Sequence, residues 1–145
     1  MKNSAVFIAI CSVIFLGCNG TPKPIAYGSE GCHYCSMTIV DKQHAAQLMT
    51  IKGRSYAFDA SECMLNHLKD MDVNDVGLFL TNTYYKPGQL TDATKATYLI
   101  SHNLPSPMGE FLTAFDTPEE ARRGQLANQG ELFTWEEILI RFKNK

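Results

Sequence analysis

Apolar and polar positions along the chain fall into short extended segments broken by a few helical ones. Ala45 to Ile51 leans apolar, Lys52-Gly53-Arg54 makes a turn, and Ser55-Tyr56-Ala57-Phe58-Asp59 alternates, which predicts a hairpin. Met37-Thr38-Ile39-Val40, ahead of it, is short and β-like. Asp59-Ala60-Ser61-Glu62 has the D-x-x-E form of a capping box, and Met64, Leu65, Leu68 and Met71 follow at helical spacing, so a helix is expected to about Met71. Val76 to Thr83 opens with a nearly continuous apolar run and reads as a strand, and Tyr84-Tyr85-Lys86-Pro87-Gly88 reads as a loop. Thr97 to Ser101 and Glu110 to Phe115 read as further strands, with Leu104-Pro105-Ser106-Pro107-Met108-Gly109 between them. Thr117-Pro118-Glu119-Glu120 is a strong helix start, with Gly130 as its expected end. Glu131-Leu132-Phe133 suits a short strand. Thr134-Trp135-Glu136-Glu137 caps a last helix whose apolar face is Trp135, Ile138, Leu139 and Phe142.

The order strand-strand-helix-strand thus occurs twice, at 45–83 and 97–133, without internal sequence identity. The expected class is α+β: two tandem ββαβ-like units with mainly antiparallel sheets. Composition agrees with a small globular domain, at 145 residues, 45% hydrophobic and 19% charged. A net charge of −2 gives no electrostatic footprint for nucleic acid.

The N-terminus changes the picture. Met1-Lys2-Asn3 carries one positive charge, and Ala5 to Leu16 is apolar but too short to span a bilayer. It ends in Phe15-Leu16-Gly17-Cys18, which resembles the lipobox of bacterial lipoproteins, with Phe15 where Leu is usual. That resemblance implies cleavage before Cys18 and acylation of it, an anchor of several chains. Residues 1–17 then form a signal peptide, 18–30 the lipidated Cys and a linker, and 31–145 the folded domain. Asn19 is not the Asp used for inner-membrane retention, so the outer membrane is favoured over the inner, with the domain facing the periplasm.

Cysteine chemistry is concentrated in Gly31-Cys32-His33-Tyr34-Cys35-Ser36-Met37. A C-x-x-C turn can aim two sulfurs at one point, and Met37 adds a thioether. Soft sulfur sets favour Cu(I). Of the five cysteines, Cys11 lies in the apolar leader and Cys18 at the lipobox, leaving Cys32, Cys35 and Cys63. An odd number outside the cytoplasm leaves a thiol unpaired or marks a ligand set. A structural disulfide, a redox dithiol and zinc compete with copper. The dithiol reading wants a helix after the first Cys, and 36–40 looks extended. Zinc would want four ligands, which Cys32, Cys35, Cys63 and a His could supply. Met37 serves equally well as a core methionine or a ligand. Met108, between Pro107 and Gly109, sits on a turn and is the better thioether candidate than Met49, Met64 or Met71. Cys63 reads first as a buried structural thiol. His33 is an auxiliary candidate, and His44, His67 and His102 receive no role. Neither a Ser-His-Asp set nor paired carboxylates nor a phosphate loop is evident, which argues against an enzyme.

Cys32-His33-Tyr34-Cys35-Ser36-Met37 resembles the C-x-x-C-G-M signature of the NosL family, accessory lipoproteins of nitrous oxide reductase. The likeness continues in Tyr56-Ala57-Phe58-Asp59, Thr81-Asn82-Thr83-Tyr84, Asp92-Ala93-Thr94-Lys95-Ala96-Thr97-Tyr98, Ser106-Pro107-Met108-Gly109 and Ala114-Phe115. Ser36 departs from the usual Gly, and Cys63-Met64 are additional sulfurs. The resemblance implies a periplasmic Cu(I) metallochaperone of two related ββαβ units. It would hand copper to the maturation machinery of the reductase, a membrane transporter complex. The implied ligands are Cys35, with Cys32 nearby, and Met108; Met37 is the further candidate.

Overall fold

Seven strands and three helices build the computed structural model, which describes residues 21–145. The expected signal peptide and Cys18 lie outside the described residues. β1 (Ala46–Thr50) and β2 (Ser55–Phe58) form the expected hairpin across Gly53. They are followed by α1 (Ser61–His67), β3 (Val76–Thr83) and β4 (Lys86–Asp92). The second unit runs β5 (Thr97–Ile100), β6 (Leu112–Phe115), α2 (Pro118–Asn128), β7 (Glu131–Phe133) and then α3 (Trp135–Lys143). Strand order is β2-β1-β3-β4 in one sheet and β6-β5-β7 in the other, with every pairing antiparallel. Each unit therefore places its first strand centrally, its second on one side and the strand after its helix on the other. The α+β duplication expected from the element order is present as topology. Asp92 closes the turn between the units, its carboxylate accepting from the backbone and hydroxyl of Thr94.

Several expectations need correction. The segment 84–88 is not a loop: Tyr84 and Tyr85 make a tight turn and Lys86 already begins β4, an edge strand where Pro87 is tolerated. Met37–Val40 forms no strand, only a bridge of Gly31 to Thr38. α1 lacks its capping box: Ala60 is the N-cap with no side-chain bond, and the helix passes at Leu68–Asp70 into a 3-10 turn. In β3 the apolar half is the more exposed one, while Thr81, Asn82 and Thr83 are buried. Hydrogen bonds offset part of that burial: Thr81 shares one with Ser61 at 2.7 Å, and the Asn82 amide donates to Lys42 O at 2.8 Å. The stretch read as a linker is docked from Lys23 on. Ile25 is buried, and Gln47 donates to Lys23 O.

The other two helices begin as their caps predict. Thr117 accepts from Glu120 N in α2, and Thr134 and Glu137 form a complete capping box in α3. α2 ends at Asn128, before the expected Gly130, which at φ +105 brings the chain against Ile100 O. One continuous core joins the units. Leu48, Phe58 and Met64 from the first share it with Tyr98, Leu112, Ile138 and Phe142 from the second. Trp135 stacks obliquely on Phe79 of one sheet and Tyr98 of the other. Leu99, Phe115 and Ala121 form a smaller cluster beneath α2, so the second sheet is covered on both faces.

Candidate metal centre

The Cys loop is held at both ends and pinned in the middle. Gly28 N donates to Ile39 O and Ile39 N to Glu30 O, both at 2.8 Å. Within the loop Cys32 N donates to Met37 O and Ser36 N to Cys32 O. His33 N donates to Ala57 O at 2.9 Å, which lays the loop along the free edge of β2. Ser36 adopts φ +65, the left-handed conformation in which glycine is at ease. This twist turns Cys32 inward (3% exposed), leaves Cys35 half-buried and leaves Met37 on the surface (48% exposed).

α1 follows β2 directly, so the edge that carries the loop also feeds the helix beneath it. The first turn of that helix supplies Cys63, fully buried. The Sγ atoms of Cys32, Cys35 and Cys63 all lie within 4.8 Å of one another, and all three are free thiols. From its sequence position Cys63 reads first as a structural thiol. It is buried as expected, yet it belongs to the cluster. The pointers available were the odd thiol count and the position of α1 immediately after the strand.

Three thiols at this spacing do not ionise independently. Cys32 falls below the ordinary thiol range to about 4, chiefly because Cys63 donates to it, helped by the backbone N–H groups of Cys35, Asp59 and Tyr34. The Cys35 N–H lies 3.5 Å from its sulfur. Cys63, as the donor to a thiolate and buried besides, is pushed up. Cys35 is also raised, mainly by burial. The cluster therefore holds one thiolate with two neutral thiols against it, a soft donor set suited to Cu(I).

Met108 is half-buried against the same core that contains Cys32 and Cys63 and that Cys35 also touches. Its backbone N–H donates to Glu62 at 3.2 Å, and Glu62 immediately precedes Cys63. Two segments far apart in sequence are thereby tied beside one another. His33 is exposed and packs on Tyr56 at 4.4 Å and on His67 at 5.1 Å between ring centroids. His44 is buried between Asp41 and Thr113, a structural tie closed to solvent.

Among the described residues no helix is long and apolar enough to cross a membrane. The chain is 30% identical over 132 residues to the copper-binding lipoprotein NosL of Stutzerimonas stutzeri, covering 80% of this chain and 66% of that protein, just under two thirds of its length. Its fold matches the crystal structure of the copper chaperone NosL from Shewanella denitrificans with a TM-score of 0.67 at 20% identity. That match covers 80% of this chain and 96% of the other. The NosL family model matches residues 24–141, nearly the whole of the described domain, and the chain belongs to the NosL family.

Proposed function

We propose that this protein is a membrane-anchored, extracytoplasmic Cu(I) metallochaperone that binds and passes on its cargo rather than transforming it. The observation that carries this reading is the convergence of Cys32, Cys35 and Cys63, in a chain whose relatives are named for copper binding. Cys35 is the thiol within reach of solvent and would hold the ion during exchange, with Cys32 beneath it. Met108 and the exposed Met37 are the thioether ligands of the proposal. A thioether binds Cu(I) without charge and releases it more readily than a thiolate, which suits delivery. The destination we propose is the maturation machinery of a nitrous oxide reductase-type enzyme, a membrane transporter complex and the reductase itself. The anchor we propose is the acylated Cys18, in the outer rather than the inner membrane.

Thiol-disulfide exchange is the competing reading, and the lowered Cys32 favours it. Burial of that sulfur argues against it, because an incoming disulfide has no approach to a thiolate 3% exposed. The two are separated by anaerobic titration of the reduced protein with Cu(I), with zinc as competitor. One tightly bound Cu(I) that zinc does not displace is expected. Cys35→Ser should abolish tight binding, and Met108→Leu should weaken it with the fold intact. Wild-type affinity in both variants, measured against a Cu(I) chelator, would refute the ligand assignment.

A further inference from the structure

Glu62 is completely buried, and burying a carboxylate is expensive unless its oxygens are satisfied. It could have capped its own helix, where the D-x-x-E pattern invites it, but it does not. Its oxygens are instead taken by one distant segment. The Ser106 hydroxyl donates to Oε1, Leu112 N–H donates to Oε1 at 3.1 Å, and Met108 N–H donates to Oε2 at 3.2 Å. Among the described residues, every hydrogen bond from 104–112 to the first ββαβ unit ends on this carboxylate. The turn it holds is closed by Gly109 N–H donating to Ser106 O, with Gly109 at φ +75. On the other side Glu62 is joined through the helix backbone to Cys63, a member of the thiol cluster.

We infer that Glu62 is a positioning residue for copper: its carboxylate fixes the Met108 turn against the helix that carries Cys63, so that thioether and thiols act as one site. The inference rests on the reading of Met108 as a ligand. Groups that orient a ligand from behind are commonly worth 10- to 100-fold in metal affinity. Glu62→Gln keeps shape and volume, but its NH2 then faces a backbone N–H that needs an acceptor, and the turn loosens.

The test is a double-mutant cycle on the reduced full-length protein, reading Cu(I) affinity by competition with a chromogenic Cu(I) chelator. Glu62→Gln should weaken binding by roughly 10- to 100-fold. In a Met108→Leu background the same substitution should weaken it no further. A purely structural Glu62 would reduce affinity by the same factor in both backgrounds, and that outcome overturns the inference, as does wild-type affinity of Glu62→Gln. Should Glu62→Gln fail to fold by circular dichroism, Ser106→Ala removes one of the three donors and carries the same cycle with the same criterion. Wild-type affinity of Met108→Leu alone would remove Met108 as a ligand and this inference with it. Weakened Met108→Leu with additive Glu62→Gln removes the inference only.

Discussion

Ser36 shows how one residue records a backbone requirement. At φ +65 it occupies the left-handed region, which costs an L-residue roughly 1–2 kcal/mol. Gly, the residue usual at this place in the resembled signature, adopts that conformation without the Cβ penalty. Gly would relieve the strain but lose roughly 0.5–1 kcal/mol through the entropy of the unfolded chain. Ser36→Gly should therefore leave stability unchanged or raise it by up to about 1.5 kcal/mol. Ser36→Val, β-branched, should destabilise by more than about 1 kcal/mol. Urea midpoints at constant slope are the measurement, and equal midpoints for Gly and Val would show that the loop does not enforce this conformation. At this scale the sequence was partly legible. Cys32 and Cys35 are legible by their spacing, and the structure brings their sulfurs together. Cys63 is only hinted at, by the odd thiol count, because its part depends on the β2 edge carrying the loop, a contact set by tertiary structure.

At the scale of elements, capping chemistry was readable where it stayed local. Thr117 and Thr134 cap α2 and α3 as their motifs say. Glu62 carries the same motif, but its carboxylate is claimed by the 106–112 segment, so α1 starts from Ala60 without a side-chain cap. Pro87-Gly88 read as a loop because turn residues are also tolerated on an edge strand. α2 carries a second hidden requirement. Gly124 lies inside it, where Ala would ordinarily gain about 1 kcal/mol. Here a Cβ would stand 2.5 Å from Cζ of Phe115 and 2.8 Å from its Cε1. Phe115 is fully buried and hemmed by Tyr84 and Tyr85 at 5.6 and 5.7 Å, so its ring has little room to yield. The usual sign should reverse, and Gly124→Ala should destabilise by about 1–3 kcal/mol as an overpacked site. A thermal midpoint at or above wild type would contradict this.

At the scale of the whole molecule, the repeated element order was legible because each hairpin and helix carries local signals. The merging of both units into one core was not, since it depends on pairs such as Trp135 with Phe79 and His44 with Thr113. The thiol cluster belongs to that shared core and so couples thiol ionisation to folding. The folded chain holds Cys32 deprotonated at pH values where the unfolded chain keeps it protonated. The unfolded chain then binds more protons, so stability rises with pH across that interval. The Cys32 contribution is fully present above the ordinary thiol pKa, roughly 8.5, and is lost as pH falls toward about 4. Cys35 and Cys63 are raised and act in the opposite direction. Above the ordinary thiol pKa the unfolded chain releases protons that the folded chain keeps, and stability falls again. Reduced, metal-free protein should accordingly show a stability contribution from this cluster that peaks near the ordinary thiol pKa. Carboxylates also titrate at the acid end, and comparison with Cys32→Ser subtracts them. Urea unfolding across this pH range should show the wild type gaining on Cys32→Ser as pH rises from about 4. Parallel profiles for the two proteins would mean that the folded chain does not stabilise the Cys32 thiolate.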